Sequence, residues 1–331
     1  MQAILRETLV EKAKALLADG TVDRVIGWKA GEFAYDLTPA VFHSAEEVEA
    51  DLVWNDFCGA NFSKYLIKET KKSENKVLVF LKPCDTYSFN QLLTEHRFDR
   101  ARVYAVGVPC GGMAEMRVIR DKCGDGVTGA EADGENMVIH TLYDGDKTLP
   151  LADCLADRCR CCKSKKHTAY DELLGEEGEV LDSARFDEVE RLEAMTPDER
   201  FAFWQNELSR CIRCNACRDV CPACTCEKCV FGNPSSGVEN KAISDSFEEK
   251  MFHVIRAFHV AGRCTDCGEC SRVCPQHIPL HLLNRKFIKD IDRLYGAYQA
   301  GAEVGSRAPI VNYSTDDAEP GEAVEGGCRH A

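Results

Sequence analysis

Two cysteine runs, Cys211-x-x-Cys214-x-x-Cys217-x-x-x-Cys221-Pro222 and Cys264-x-x-Cys267-x-x-Cys270-x-x-x-Cys274-Pro275, repeat one spacing within a single chain. The repeat constrains the fold more than any other feature, because three thiols in so tight a loop must wrap a compact object. In such a run the first three thiolates suit three irons of one 4Fe-4S cubane. The fourth, set off by the longer gap and the proline, reaches the neighbouring cluster. The pattern therefore predicts crosswise ligation: Cys211, Cys214, Cys217 and Cys274 for one cluster, and Cys264, Cys267, Cys270 and Cys221 for the other. Structural zinc also uses C-x2-C pairs, but it needs only four ligands and rarely takes a run of four with a trailing proline.

The chain has 20 cysteines in 331 residues, and their meaning depends on the compartment. The opening segment MQAILRETLVEKAKALLADG is amphipathic and charged, without the apolar stretch and small-residue cleavage site of a secretory signal. No run of about 18 apolar residues is present to span a membrane. The expectation is a cytoplasmic protein with no integral membrane span, where thiols grouped as C-x-x-C favour metal over disulfides. With 44% hydrophobic residues the chain can bury a real core, and its length suggests two domains. Its 41 basic against 55 acidic residues leave a net charge of −14, which argues against nucleic acid as a partner.

Residues 1–180 read as an α/β domain with a parallel β-α-β core. Leu5, Leu9, Ala13, Leu16 and Leu17 recur at helical spacing and stop at Gly20. Lys76–Leu81 (KVLVFL) and Arg102–Val108 (RVYAVGV) are short β-branched runs on either side of a helical stretch, Tyr87–Arg97. After an acidic connector, Thr196-Pro-Asp-Glu199 has the form of a capping box with proline at the first helical position. Residues 196–300 then read as an α-helical dicluster ferredoxin-like domain, with helices over Phe247–Val260 and Leu280–Tyr298. Residues 301–331 read as a mobile tail that carries Cys328.

Further cysteines suggest further metal. The two strand ends echo each other, Lys82-Pro83-Cys84-Asp85 after one and Pro109-Cys110-Gly111 after the next. Adjacent parallel strands would set Cys84 and Cys110 side by side at the carboxyl edge of the sheet, where open α/β sheets bind ligands. Thiols from Cys159-Arg-Cys161-Cys162 could join them in a third cluster; alternatively, Cys84 and Cys110 are buried core thiols. Between the two runs, Cys224, Cys226 and Cys229 could supply most of a further cluster or a zinc site, or remain reduced beside the cluster loops.

The Pro-Cys strand ends, together with a C-x-x-C pair nine residues ahead of Asp171 and thirteen ahead of Gly175, resemble the beta subunit of the coenzyme F420 hydrogenase and dehydrogenase family. The Lys-Pro-Cys-Asp version is also similar to the beta subunits of sulfhydrogenases and anaerobic sulfite reductases. Trp54-Asn55, Asn61 and Tyr65-Leu66 extend the likeness. By position, Cys159 and Cys162 match the family's pair, so the resemblance implies a third 4Fe-4S cluster on Cys84, Cys110, Cys159 and Cys162. It also implies a subunit that relays electrons between a flavoprotein or hydride-handling partner and a larger hydrogenase, dehydrogenase or heterodisulfide-reductase-like complex.

The leading expectation is therefore an electron-transfer iron-sulfur subunit of a multi-subunit oxidoreductase. Two alternatives stand beside it. One is a flavin-containing subunit that binds FAD, oxidises a reduced deazaflavin and feeds the clusters; the other is an iron-sulfur redox sensor or scaffold. Gly124-Asp-Gly126-Val-Thr-Gly129 matches a dinucleotide fingerprint as text only, since no strand precedes it and no helix follows. His253 and His259 read as packed or solvent-facing side chains on the helix before Cys264, and Cys58 and Cys123 as isolated thiols.

Overall fold

The β-branched runs form the centre of a sheet in the structure, a computed structural model that describes residues 5–181, 184–233, 235 and 246–311. The chain divides into two units, Met1–Arg185 and Phe186–Ala331. In the first, β4 (Lys76–Leu81) buries every residue from Val77 to Leu81, as a strand covered on both faces must. It pairs in parallel with β5 (Val103–Gly107), Leu81 opposite Gly107, and α4 (Pro83–Thr94) connects them. This helix starts four residues before the expected Tyr87. Pro83 has no N–H to lose at the first helical position, and the Asp85 carboxylate accepts the Lys82 N–H at 3.1 Å.

Around this pair, β1 (Val22–Ala30) runs parallel to β4, and β9 (Glu172–Leu173) runs parallel to β5. Two strands without a clear signature in the sequence, β2 (Leu37–Phe42) and β3 (Leu52–Val53), pair antiparallel with β1. The mixed sheet thus has the order β2-β1-β4-β5-β9, with β3 also on β1. The helix α1 (Arg6–Ala18) buries Leu9, Val10, Ala13 and Leu16, and Gly20 takes the left-handed turn that follows it (φ 75°). Shorter helices are α2 (Ala45–Asp51) and α3 (Leu66–Glu69).

A second, antiparallel sheet follows α5 (Met116–Cys123): β6 (Val127–Asp133), β7 (Asn136–Thr141) and β8 (Lys147–Pro150). Gly124 and Gly126, both at positive φ, turn the chain into this hairpin, so the fingerprint-like text holds no phosphate loop. On β7 the His140 Nδ1 lies 2.9 Å from Asp146 Oδ1, with Glu131 beyond at 3.6 Å. The hydrogen bond to Asp146 leads in raising the imidazole above its usual 6.5. Its stabilising pairing is present below 6.5 and is lost as pH rises through the raised folded-state value. An NMR titration should find the His140 midpoint above 6.5, and Asp146→Asn should return it towards that value. The unit closes through α6 (Asp157–Arg160).

The second unit is helical: α7 (Asp187–Glu193), α8 (Pro197–Ser209), α9 (Ala216–Asp219), α10 (Ser246–Val260), α11 (Glu269–Arg272) and α12 (Leu280–Tyr295). At the start of α8 both arms of the capping box form, Thr196 N to Glu199 Oε2 at 2.9 Å and Glu199 N to Thr196 Oγ1 at 3.3 Å. Cys217, Cys270 and Cys274 sit in the core of this unit with Leu208, Phe231, Phe252, Ile278 and Leu280. Beyond α12 the chain stays packed, for Ala300 and Ala308 are buried and Tyr298 Oη donates to Gly262 O at 3.1 Å. Cys328 lies outside the described residues. No helix among the described residues is long and apolar enough to cross a membrane.

Candidate metal centres

The two cysteine runs share a backbone as well as a spacing. In the first, Arg213 and Asn215 flank Cys214 with φ of 53° and 63°; in the second, Asp266 and Gly268 flank Cys267 with φ of 57° and 70°. Side chains rarely tolerate this left-handed region, and its repetition by three non-glycine residues marks strain held in place for a purpose. Each loop then opens a one-turn helix, α9 or α11, which carries the third cysteine of its run.

The first run and the last cysteine of the second come together. Cys211, Cys214, Cys217 and Cys274 line one pocket, with Phe252, His253 and Ile278 among its walls. The Arg213 N–H points at Cys211 Sγ (3.4 Å), and His253 Nε2 lies 3.3 Å from the same sulfur. Burial drives the His253 imidazole down to about 3, helped by Arg256 and Arg213, and it pushes the Cys217 thiol up to about 11.

The other four thiols of the repeat also lie near one another. Burial raises Cys264 and Cys270 to about 12 and Cys267 well above the ordinary thiol range. Nearby charge adds to the rise, from Asp266 at Cys264 and from Glu269 at Cys267, and Cys221 acts on all three. Such thiols make poor thiolates alone, and a thiol that ligates a metal gives up its proton on binding. Arg256, 3% exposed, donates from Nη2 to Cys217 O at 2.9 Å, and its Nε has no partner. Burial works against the guanidinium charge but is outweighed by Cys221, Cys270, Cys224 and Cys217. A buried cation facing thiols of both sets suits anionic iron-sulfur clusters. Among the described residues no three His, Cys, Asp or Glu side chains gather closely enough for a single metal ion; a cubane spreads its ligands over four irons.

In the first unit, Cys84 and Cys110 follow paired strands at equal offsets, three residues past Leu81 (84 − 81) and three past Gly107 (110 − 107). Cys84 is the second residue of α4, where the helix end favours negative charge. Cys110, raised to about 11 by burial and by Cys159, also acts on Cys84. The Met113 N–H points at Cys159 Sγ (3.4 Å), while the Cys162 thiol donates to Ser164 O at 3.2 Å. Asp171 of the resemblance motif fastens β9 to β5, accepting from Ala105 N at 2.7 Å and from Arg100 Nη2 at 2.8 Å.

Sequence reasoning missed three groups beside these thiols. Lys82 is 1% exposed, and its Nζ lies 2.8 Å from Asp85 Oδ2, 2.8 Å from Ala60 O and 4.8 Å above the Trp28 ring. Arg158 donates to Gly59 O at 2.6 Å and acts on Cys84. Cys58 is fully buried, is raised to about 12 by burial, and is acted on by both Lys82 and Cys110. The signal was in the motif: Asn55 N–H points at Cys58 Sγ (3.3 Å), and Asn61 donates to Ser88 Oγ at 3.0 Å, pinning the loop onto α4. Of the remaining thiols, Cys224 packs with Cys221, Val260 and Cys264, Cys229 packs in a different group beside Phe231, and Cys226 is exposed. Cys123 and Cys154 are buried together under the second sheet.

A profile for the 4Fe-4S dicluster domain matches residues 207–278. The chain is 23% identical to the F420-dependent formate dehydrogenase subunit beta of Methanocaldococcus jannaschii over 358 positions, which cover 90% of this chain and 92% of that one. It is 25% identical to the F420-dependent formate dehydrogenase 1 subunit beta of Methanococcus maripaludis over 311 positions, 75% of this chain and 78% of that one. Among solved structures, the F420-reducing NiFe hydrogenase complex of Methanosarcina barkeri aligns with 62% of this chain and 86% of its own, at a TM-score of 0.39 and 15% identity. The Pro-Cys strand ends of the first unit and the paired cysteine runs of the second thus sit in an iron-sulfur protein that carries a 4Fe-4S dicluster domain and is similar, along nearly all of both chains, to the beta subunit of an F420-dependent formate dehydrogenase.

Proposed function

We propose that this chain is the electron-relaying β subunit of a multi-subunit oxidoreductase, standing between a hydride-handling or flavoprotein partner and a larger hydrogenase, dehydrogenase or heterodisulfide-reductase-like assembly. The observation that carries the reading is that thiols from both ends of the repeat, Cys211, Cys214, Cys217 and Cys274, line one pocket. A 4Fe-4S cluster bound there supplies reversible one-electron transfer. The chain's own residues hold the thiols at fixed spacing, aim N–H groups at sulfur, exclude water with Phe252 and Ile278, and balance negative charge with Arg256.

The assignment is Cys211, Cys214, Cys217 and Cys274 for a first cluster, and Cys264, Cys267, Cys270 and Cys221 for a second, within a ferredoxin-like helical domain over residues 196–300. A third is assigned to Cys84, Cys110, Cys159 and Cys162 in the α/β domain over residues 1–180. Cys224, Cys226 and Cys229 stay candidates for further metal. The names of the relatives favour one addition: F420 is a deazaflavin hydride carrier, and splitting a hydride into single electrons calls for a flavin such as FAD.

Iron and sulfide analysis of anaerobically prepared protein tests the reading. About twelve irons per chain are expected, against about eight if the first unit holds no cluster. Cys84→Ala should remove about four, and an unchanged count would make Cys84 a core thiol. Flavin absorbance released by acid would support FAD, and its absence would remove it.

A further inference from the structure

One face of α10 is aimed at the cysteine repeat. His253 and Arg256 stand three residues apart on this helix, and both are buried, at 2% and 3% exposure. Their reach differs. Among the described residues, His253 Nε2 meets one sulfur, that of Cys211. A thiolate bound to iron has no proton to give, so the hydrogen of this contact belongs to Nε2, and the imidazole is the donor. Its Nδ1 has no partner, and the ring packs edge-on against Phe252. Arg256 lies between the two sets. It donates to Cys217 O, belongs with no carboxylate among the described residues, and is acted on by Cys217 from one set and by Cys221 and Cys270 from the other.

We propose that α10 sets the reduction potentials of the two dicluster sites unequally, His253 acting through a hydrogen bond to the first site alone and Arg256 as one buried positive charge shared by both. The inference rests on the cluster assignment above. Reduction adds one electron, and no atom, to a site already rich in negative charge. A hydrogen bond to a ligand sulfur and a fixed cation nearby both stabilise that added charge, and so raise the potential. Both side chains are positioning residues, since they act on the cluster through its ligands and its field.

The test is an EPR-monitored redox titration of the full chain, with iron content measured on every sample. His253→Phe keeps the ring volume and loses the donor. It should lower the midpoint of one signal by about tenfold in its reduction equilibrium, or about 59 mV for a one-electron couple, with a much smaller change in the other. His253→Gln, which restores an N–H, should recover part of the shift. Arg256→Met should lower both midpoints, and Arg256→Lys should keep both near their original values.

Equal shifts in both signals for His253→Phe, or no shift in either with full iron, would overturn the role of His253. Unmoved midpoints in Arg256→Met with full iron would overturn that of Arg256. If Arg256→Met fails to hold iron, the lysine variant decides, because a loss of both potentials there means that charge is not what Arg256 supplies. Failure of the cluster assignment looks different: the unaltered chain would then lack the irons and the paired signals.

Discussion

Arg285→Ala should destabilise the second unit by about 3–5 kcal/mol, lowering its thermal midpoint by on the order of 10 °C. The guanidinium Nε lies 3.1 and 3.2 Å from the two Asp266 oxygens, with only 2% and 4% of the two side chains exposed. Removing the arginine leaves a carboxylate buried without its partner. Asp266 is also a strained residue of the second cysteine loop, so the loss should loosen that loop first, and iron should leave before the unit melts. Calorimetry with iron analysis reads both effects. The double variant Arg285→Met with Asp266→Leu separates charge from packing, since replacing a whole buried pair by apolar groups is often near neutral. A single-variant loss under about 1 kcal/mol would show that the pair is not what holds the loop.

Lys82→Met should cost a similar amount, about 3–5 kcal/mol, for the same reason at the other end of the chain. Here the group that loses its cation is Asp85, whose carboxylate also accepts the Lys82 N–H that opens α4. The Ala60 carbonyl would lose its donor and Trp28 the cation above its ring. Denaturant unfolding followed through the tryptophans should report the loss, because Trp28 and Trp54 stand 5.0 Å apart next to this ion pair. Iron content adds a second readout. With the cation beside Cys84 and Cys110 gone, metal at these thiols should be held less firmly, whereas a purely structural lysine would leave the iron of the surviving folded protein unchanged.

Neither pair was legible in the sequence, and the reason is physical. Local spacing determined what the cysteine runs, the Thr196 capping box and the β4-α4-β5 unit would do, because those signals lie within one turn or one strand. The start of α4 is masked by its own motif: Lys-Pro-Cys-Asp reads as a strand end, although Pro83 and Asp85 are also first-turn residues. The β1, β2 and β3 pairing depends on contacts made across the fold. Lys82, Cys58, His253 and Arg256 are single residues without a periodic signature. A lone histidine on a helix gives no hint that it ends 3.3 Å from a sulfur 42 residues away. Burial turns such residues from ordinary surface types into parts of a site.

The matched loops have a consequence for how each set of thiols is surrounded. Their backbones repeat the same left-handed steps, so the two sets of thiols are offered in the same way, yet the side chains around them differ. Around Cys211–Cys217 stand Arg213 and the ring of His253; around Cys264–Cys270 stand Asp266, paired with Arg285, and Glu269, paired with Arg272. The first loop has a buried neutral ring at its sulfur, and the second has two buried carboxylate–arginine pairs at its edge. The duplication has therefore kept its mechanics and diverged in its field. Two alike sockets are thereby set in unlike surroundings, each loop held by its own set of neighbours.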